Sequence, residues 1–209
     1  MNNQLKKVVL SVLVFALTIG GILVAPQFAD AQSAYSSGSY GTCTYNSCGI
    51  TLGADASVAA NVTPAAGTTT CSVGKGEIQV TTQSSTGYTL TMTDSDTDTS
   101  LKNGTTGTIS ATSGTAASPT ALTANKWGYR VDGINGFGAG PTSIVSNGAI
   151  PTLNFATIPA SSAAPDIIAT TTVAADPYTS TFVYFGVCAN PTLPNGAYSD
   201  AVTYSVVVN

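Results

Sequence analysis

Hydrophobic and polar positions alternate along much of this chain with a period of two. In GEIQVTT, Ile78 and Val80 stand against Glu77 and Gln79. In STGYTLTM, Tyr88, Leu90 and Met92 fall on one face and Thr89, Thr91 and Thr93 on the other. Successive side chains of a strand point to opposite faces, so this pattern predicts half-buried strands. The QSST between the two runs is turn-like, and the runs are expected to pair as a hairpin. Short β-type runs also occur in ITL, ASVAANV, GTIS, ALTANKWGYRVDG and DIIATTTV. STFVYFGVC is the most apolar run and is expected to lie centrally. The last run sets Val202, Tyr204, Val206 and Val208 on one face and Thr203 and Ser205 opposite, with Val207 breaking the alternation. A slip of one residue would turn that apolar face outward, so this strand is expected to be integral to the fold.

Between Gly133 and Pro165 the chain is punctuated by Gly and Pro and reads as a long irregular excursion. No stretch beyond the N-terminal segment carries a helical stripe. Many short strands with Gly, Pro and Asn turns predict an all-β fold: a single antiparallel β-sandwich domain, Ig-like or jelly-roll-like, over residues 48–209.

The first residues have another character. Lys6 and Lys7 precede the apolar run Val8 to Ala25, and Ala29-Asp30-Ala31 fits a small-x-small cleavage site. This predicts a signal peptide over residues 1–31, helical and removed on secretion. The competing reading is an uncleaved anchor, since the run approaches the roughly 18 residues that span a bilayer. Membrane contact is expected through this segment only. Gln32 to Ser47, rich in Ser, Gly and Tyr, reads as a flexible leader. The expected location is extracellular or on the cell surface.

Charge and residue usage narrow the function. The chain has 209 residues, a net charge of −4 and no histidine. Beyond Ala31 only Lys75, Lys102, Lys126 and Arg130 oppose the acids, which disfavours nucleic acid as a partner. Without histidine there is no Ser-His-acid or Cys-His arrangement, and most transition-metal sites are lost. The acids are few and lie mostly in turns, a poor basis for a carboxylate pair that cleaves glycosides. No catalytic residue is assigned and no enzyme activity is expected.

Cys43, Cys48, Cys71 and Cys188 form an even set, which in an exported chain reads as disulfides. Three pairings are open to the sequence. The one expected is Cys43–Cys48 within CTYNSC and Cys71–Cys188 between distant strands. Zinc is the weaker alternative, because there is no CxxC and no histidine.

Two further constellations offer ligand chemistry. In DSDTDTS, Asp94, Asp96 and Asp98 alternate as oxygen ligands do in calcium loops. The EF-hand pattern fails, with Thr99 in place of its Gly and Thr105 in place of its Glu, so a solvated turn built on Asx hydrogen bonds is the competing reading. Calcium is the only cofactor the sequence suggests. Trp127 and Tyr129, with Tyr88 and Phe137, are candidates for an aromatic platform that binds sugars. The competing reading places them in the core.

STGYTLTMTDSD, ANKWGYRVDG and YFGVCANPTLPNGAYSDAVTYSVVVN together resemble segments of a group of uncharacterised secreted bacterial β-sandwich surface proteins. The closing strand is also similar to the ends of spore-coat-U-like, WxL and pilin-like domains. The likeness covers roughly Cys43 to Asn209 and implies cell-surface or extracellular placement without a catalytic residue. There is no Trp-x-Leu pair, since Trp127 is followed by Gly128 and Tyr129. Gly196 matches the glycine that precedes the end of chaperone-assembled pilins, while Val208 replaces their penultimate aromatic. The functional expectation is a structural or adhesive surface protein, a subunit of an assembly with itself or with other surface proteins. The alternative is a soluble binding module for glycans or a host protein.

Overall fold

A computed structural model of the protein describes residues 49–64, 66–104 and 107–209. The signal segment, the leader, Cys43 and Cys48 lie outside the described residues. Among those described every regular element is a strand.

The largest sheet has the order β1 (Ile50–Ala54), β2 (Thr70–Thr82), β11 (Ala175–Ala189), β7 (Lys126–Arg130), β5 (Gly107–Ala111) and β4 (Leu101–Asn103). β8 (Val145–Gly148) shares the outer edge of β2 with β1. A second sheet places β3 (Tyr88–Asp94) between β10 (Asp166–Thr170) and β12 (Val202–Val208). A third pairs β6 (Thr120–Ala121) with β9 (Asn154–Phe155). The fold is all-β, but it is not wholly antiparallel as expected. β5 and β7 run parallel, Ser110 beside Lys126 and Ala111 beside Trp127. The chain from Thr112 to Asn125 is long enough to make the crossover that a parallel pair requires.

β11 is interior, as its apolar sequence predicts: it pairs along its whole length with β2 and at its C-terminal half with β7. The hairpin expected between the runs at Ile78 and Tyr88 does not form. β2 stays in the large sheet while β3 pairs with β10 and β12. A turn in which Gly87 N–H donates to Ser84 C=O (3.1 Å) carries the chain from one sheet to the other. The physical reason is that both runs have one strongly apolar face. Crossing between sheets lets Ile78 and Val80 share one core with Tyr88, Leu90 and Met92, all fully buried. Each such side chain contributes about 1.5–3 kcal/mol on burial.

β12 follows its predicted pattern. Val202, Tyr204, Val206 and Val208 are partly buried, Thr203, Ser205 and Val207 are exposed, and the strand pairs with β3 from Val202–Asp94 to Val208–Tyr88. The run ASVAANV forms no strand, although Val58, Ala60 and Val62 turn inward at alternate positions. The Gly133–Pro165 excursion is more than a loop. It supplies β8 and β9, and it buries Ile150, Phe155, Ala156 and Ile158. Its apolar residues are too scattered to show a period, so its part in the core is invisible to pattern reading.

Candidate functional site

The cysteine expectation is met where it can be seen. Cys71 and Cys188 are register partners on β2 and β11 and form a disulfide. Both residues are buried.

The calcium reading of Asp94, Asp96 and Asp98 is corrected by the geometry. Asp94 Oδ1 accepts from Asp96 N–H (2.9 Å), Asp96 Oδ1 from Asp98 N–H (2.6 Å) and Asp98 Oδ1 from Ser100 N–H (3.1 Å). Three successive Asx turns form a ladder, each carboxylate satisfying the backbone two residues on. Asp98 Oδ2 also meets Lys102 Nζ at 2.7 Å, both side chains being about half exposed. Among the described residues no three acidic or thiol side chains converge to hold a metal ion.

The aromatic platform is likewise corrected. Trp127, Tyr129 and Phe137 are all at most 5% exposed, so they present no surface to a sugar. Trp127 Nε1 donates to Thr99 C=O at 2.9 Å. The Tyr129 ring packs edge-on against Phe137 with centroids 5.3 Å apart, and its hydroxyl donates to Asp166 Oδ2 at 2.6 Å. Burial, then the neighbouring Asp166 carboxylate, pushes the Tyr129 hydroxyl well above its ordinary range, and burial raises Asp166. β7 is covered on both faces, which is why its aromatics serve the core.

A concavity lies elsewhere, between β10 and β11. β10 and β11 are joined only by Thr171 to Ala174, yet they do not pair; they splay apart around a cleft of about 530 Å³. One wall is the outer edge of β10, from Ile168 to Thr170. The other is the N-terminal half of β11, from Thr179 to Phe182, whose far edge pairs with β2. Among the described residues no strand pairs with the cleft-side edge of either segment. The floor includes Tyr88, which is fully buried. Its hydroxyl stands beside Thr179 and Thr181 without a partner in hydrogen-bonding geometry, and burial raises its pKa.

The rim carries one carboxylate that is already spent. Asp132 Oδ1 accepts from Arg130 Nε (3.0 Å) and Nη2 (2.8 Å) and from Thr142 Oγ1 (2.6 Å), and its Oδ2 accepts from Thr142 N–H (2.7 Å). Burial works to raise the Asp132 pKa, but these bonds and the Arg130 charge outweigh it and hold the group below the usual carboxylate range. The cleft therefore offers hydroxyl groups and backbone edges but no free charge, a lining suited to an uncharged, hydrogen-bonding occupant.

Sequence reasoning missed this cleft. Tyr88 reads as a strand residue and as a candidate for the aromatic platform, Thr181 as an ordinary strand residue, and only pairing that is absent brings them to one cleft. It also missed Asp200, which meets Asp94 side chain to side chain at the base of β12. No protein-family model matches the chain, and no curated protein or solved structure is significantly similar to it.

Proposed function

We propose that this protein is a non-catalytic structural or adhesive component of a bacterial surface. In this reading it is exported, oxidised and folded as a β-sandwich, and it acts as a subunit of an assembly. The observation that carries the reading is the cleft between β10 and β11, where two unpaired strand edges face each other. Such edges expose unused N–H and C=O groups and accept a further strand. The buried Cys71–Cys188 disulfide supports an oxidising compartment. Among the described residues no helix is long and apolar enough to cross a membrane. The sharing of one core between the large sheet and the three-stranded sheet supports the sandwich.

The test is the assembly state of the chain from Gln32, followed by size exclusion and electron microscopy, with fractionation of the native cells. High-mass species or fibres are expected, and the protein is expected in the envelope fraction. Thr170→Lys places a charge on the exposed edge of β10 and should reduce assembly without unfolding the protein. A wild-type monomer that stays monomeric at every concentration, with no partner in the envelope, would refute the reading. The hydroxyl lining of the cleft favours one alternative, a binding module for neutral glycans. Retention of a glycan by such a monomer, lost in Thr170→Lys, would establish it.

A further inference from the structure

We propose that Asp94 and Asp200 share a proton, forming a buried acid–carboxylate hydrogen bond that clasps the start of β12 to the end of β3 and opens as the medium turns alkaline. The two groups come from segments that the sheet brings together. Asp94 ends β3 and is the register partner of Val202, the first residue of β12. Ser95 N–H donates to Ala201 C=O at 2.9 Å, which holds the chain just before β12 against the chain just after β3.

The hydrogen bonding of the pair is incomplete in a specific way. Asp94 is 1% exposed. Its Oδ1 accepts from Asp96 N–H, and Asp200 Oδ1 accepts from Ala201 N–H at 2.8 Å. The remaining oxygen of each, Oδ2, is buried and has no partner. Two ionised carboxylates cannot satisfy each other, because each only accepts. Left ionised, they would face one another as like charges with little water between them. A single proton on one Oδ2 turns it into a donor to the other and removes both penalties.

The surroundings favour a proton over a metal ion. Calcium takes six to eight oxygens, and only two are orphaned here. The charged groups that face the pair are Asp96 and Lys102. The Asp96 carboxylate adds repulsion. Lys102 on β4 is engaged with Asp98 at 2.7 Å, and its backbone exchanges hydrogen bonds with Ser199 (both 3.0 Å). The facing segment at Pro159 contributes a backbone carbonyl to Asp94 N–H, not a charge. Burial, with Asp94 and Asp96 adding to it, pushes the Asp200 carboxyl up to about 7. Because the proton is held more tightly in the folded than in the unfolded chain, the stabilisation is complete below the ordinary carboxylate range. It is lost as the pH rises through neutrality, the proton passing to solvent.

The experiment compares thermal unfolding of the oxidised full chain and of Asp200→Asn between about pH 5 and about pH 8.5. The Asn amide donates to Asp94 permanently and so mimics the protonated acid. The wild-type midpoint is expected to fall across this range, and that of Asp200→Asn to fall much less, making the variant the more stable one at the alkaline end. Identical pH dependence in the two proteins would overturn the proposal. So would millimolar calcium restoring the alkaline wild type, since an ion would then bridge the pair. If Asp200→Asn does not fold, carboxyl-carbon NMR of the wild type decides. An aspartate resonance titrating near neutrality supports the shared proton, and none titrating above the ordinary carboxylate range refutes it.

Discussion

The ring of Phe155 fills the space that a side chain on Gly186 would need. A Cβ at Gly186 would lie 2.5 Å from the Phe155 ring, and one at its register partner Gly128 would lie 2.6 Å from Ala156 C=O. The paired glycines of β7 and β11 make a slot that admits the fully buried Phe155 of β9. Backbone bonds lock the arrangement, Tyr129 N–H to Ala156 C=O at 2.9 Å and Ala156 N–H to Tyr129 C=O at 2.8 Å. Gly186→Ala is expected to destabilise the protein by about 1–3 kcal/mol through overpacking. Phe155→Ala should cost about 3–5 kcal/mol through the cavity it leaves. Because the alanine methyl of the first change enters the space vacated by the second, the double variant should be more stable than additivity predicts. Urea unfolding of the four proteins measures the coupling. A strictly additive result would show that Phe155 does not occupy the glycine slot.

Asp132 gives stability a second pH dependence, opposite in sign to that of the Asp94–Asp200 pair. Its pKa is lowered in the folded state, so its contribution is present above the ordinary carboxylate range and is lost as the pH falls through the folded value. Arg130, with only 4% of its side chain exposed, would be left unpaired if Asp132 were truncated. Asp132→Ala is expected to cost about 3–5 kcal/mol at neutral pH and to flatten the acid limb of the stability profile. The alkaline limb should be untouched. Melting scans from acid to alkaline pH check both limbs; an unchanged acid limb in the variant would remove Asp132 from the account.

The Cys71–Cys188 bond closes a span of 117 residues. On the chain-entropy view such a closure stabilises the fold by roughly 4–5 kcal/mol, because it restricts the unfolded chain. Cys71→Ala with Cys188→Ala is expected to lower stability by about 2–5 kcal/mol in denaturant unfolding. A loss below about half a kcal/mol would mean that pairing of β2 with β11 restricts the chain as well without the bond.

Much of the fold was legible because it obeys a local rule. The second half of β2, from Gly76 to Thr82, and strands β3 and β12 alternate with period two, and an apolar face on one side is enough to mark them as strands. The inward set of β12 follows from the same rule, and the interior position of β11 from its being the most apolar run. What was not legible depends on partners distant in sequence. Ile78 and Tyr88 share a core across two sheets, a relation that the intervening turn does not encode. β5 and β7 run parallel because of a crossover whose path is set by packing. Phe155 sits in a Gly- and Pro-rich stretch with no period. The candidate sites divide the same way. The Asx ladder at Asp94–Asp98 is local and was readable as a turn. The cleft is a place where two strands fail to meet, and Asp200 lies more than a hundred residues from the carboxyl it faces.

The covalent link between β2 and β11 also decides what happens when the molecule is pulled. Tension applied between Gly49 and Asn209 runs along the chain to Cys71, crosses the sulfur bridge and leaves from Cys188. The 116 residues between them are bypassed and cannot lengthen while the bridge is intact. At roughly 3.3–3.6 Å per extended residue, about 400 Å of contour length is held in reserve. All three sheets draw strands from that sheltered segment, so an oxidised molecule under load would yield mainly at its two ends, whereas a reduced one would pay out its whole length.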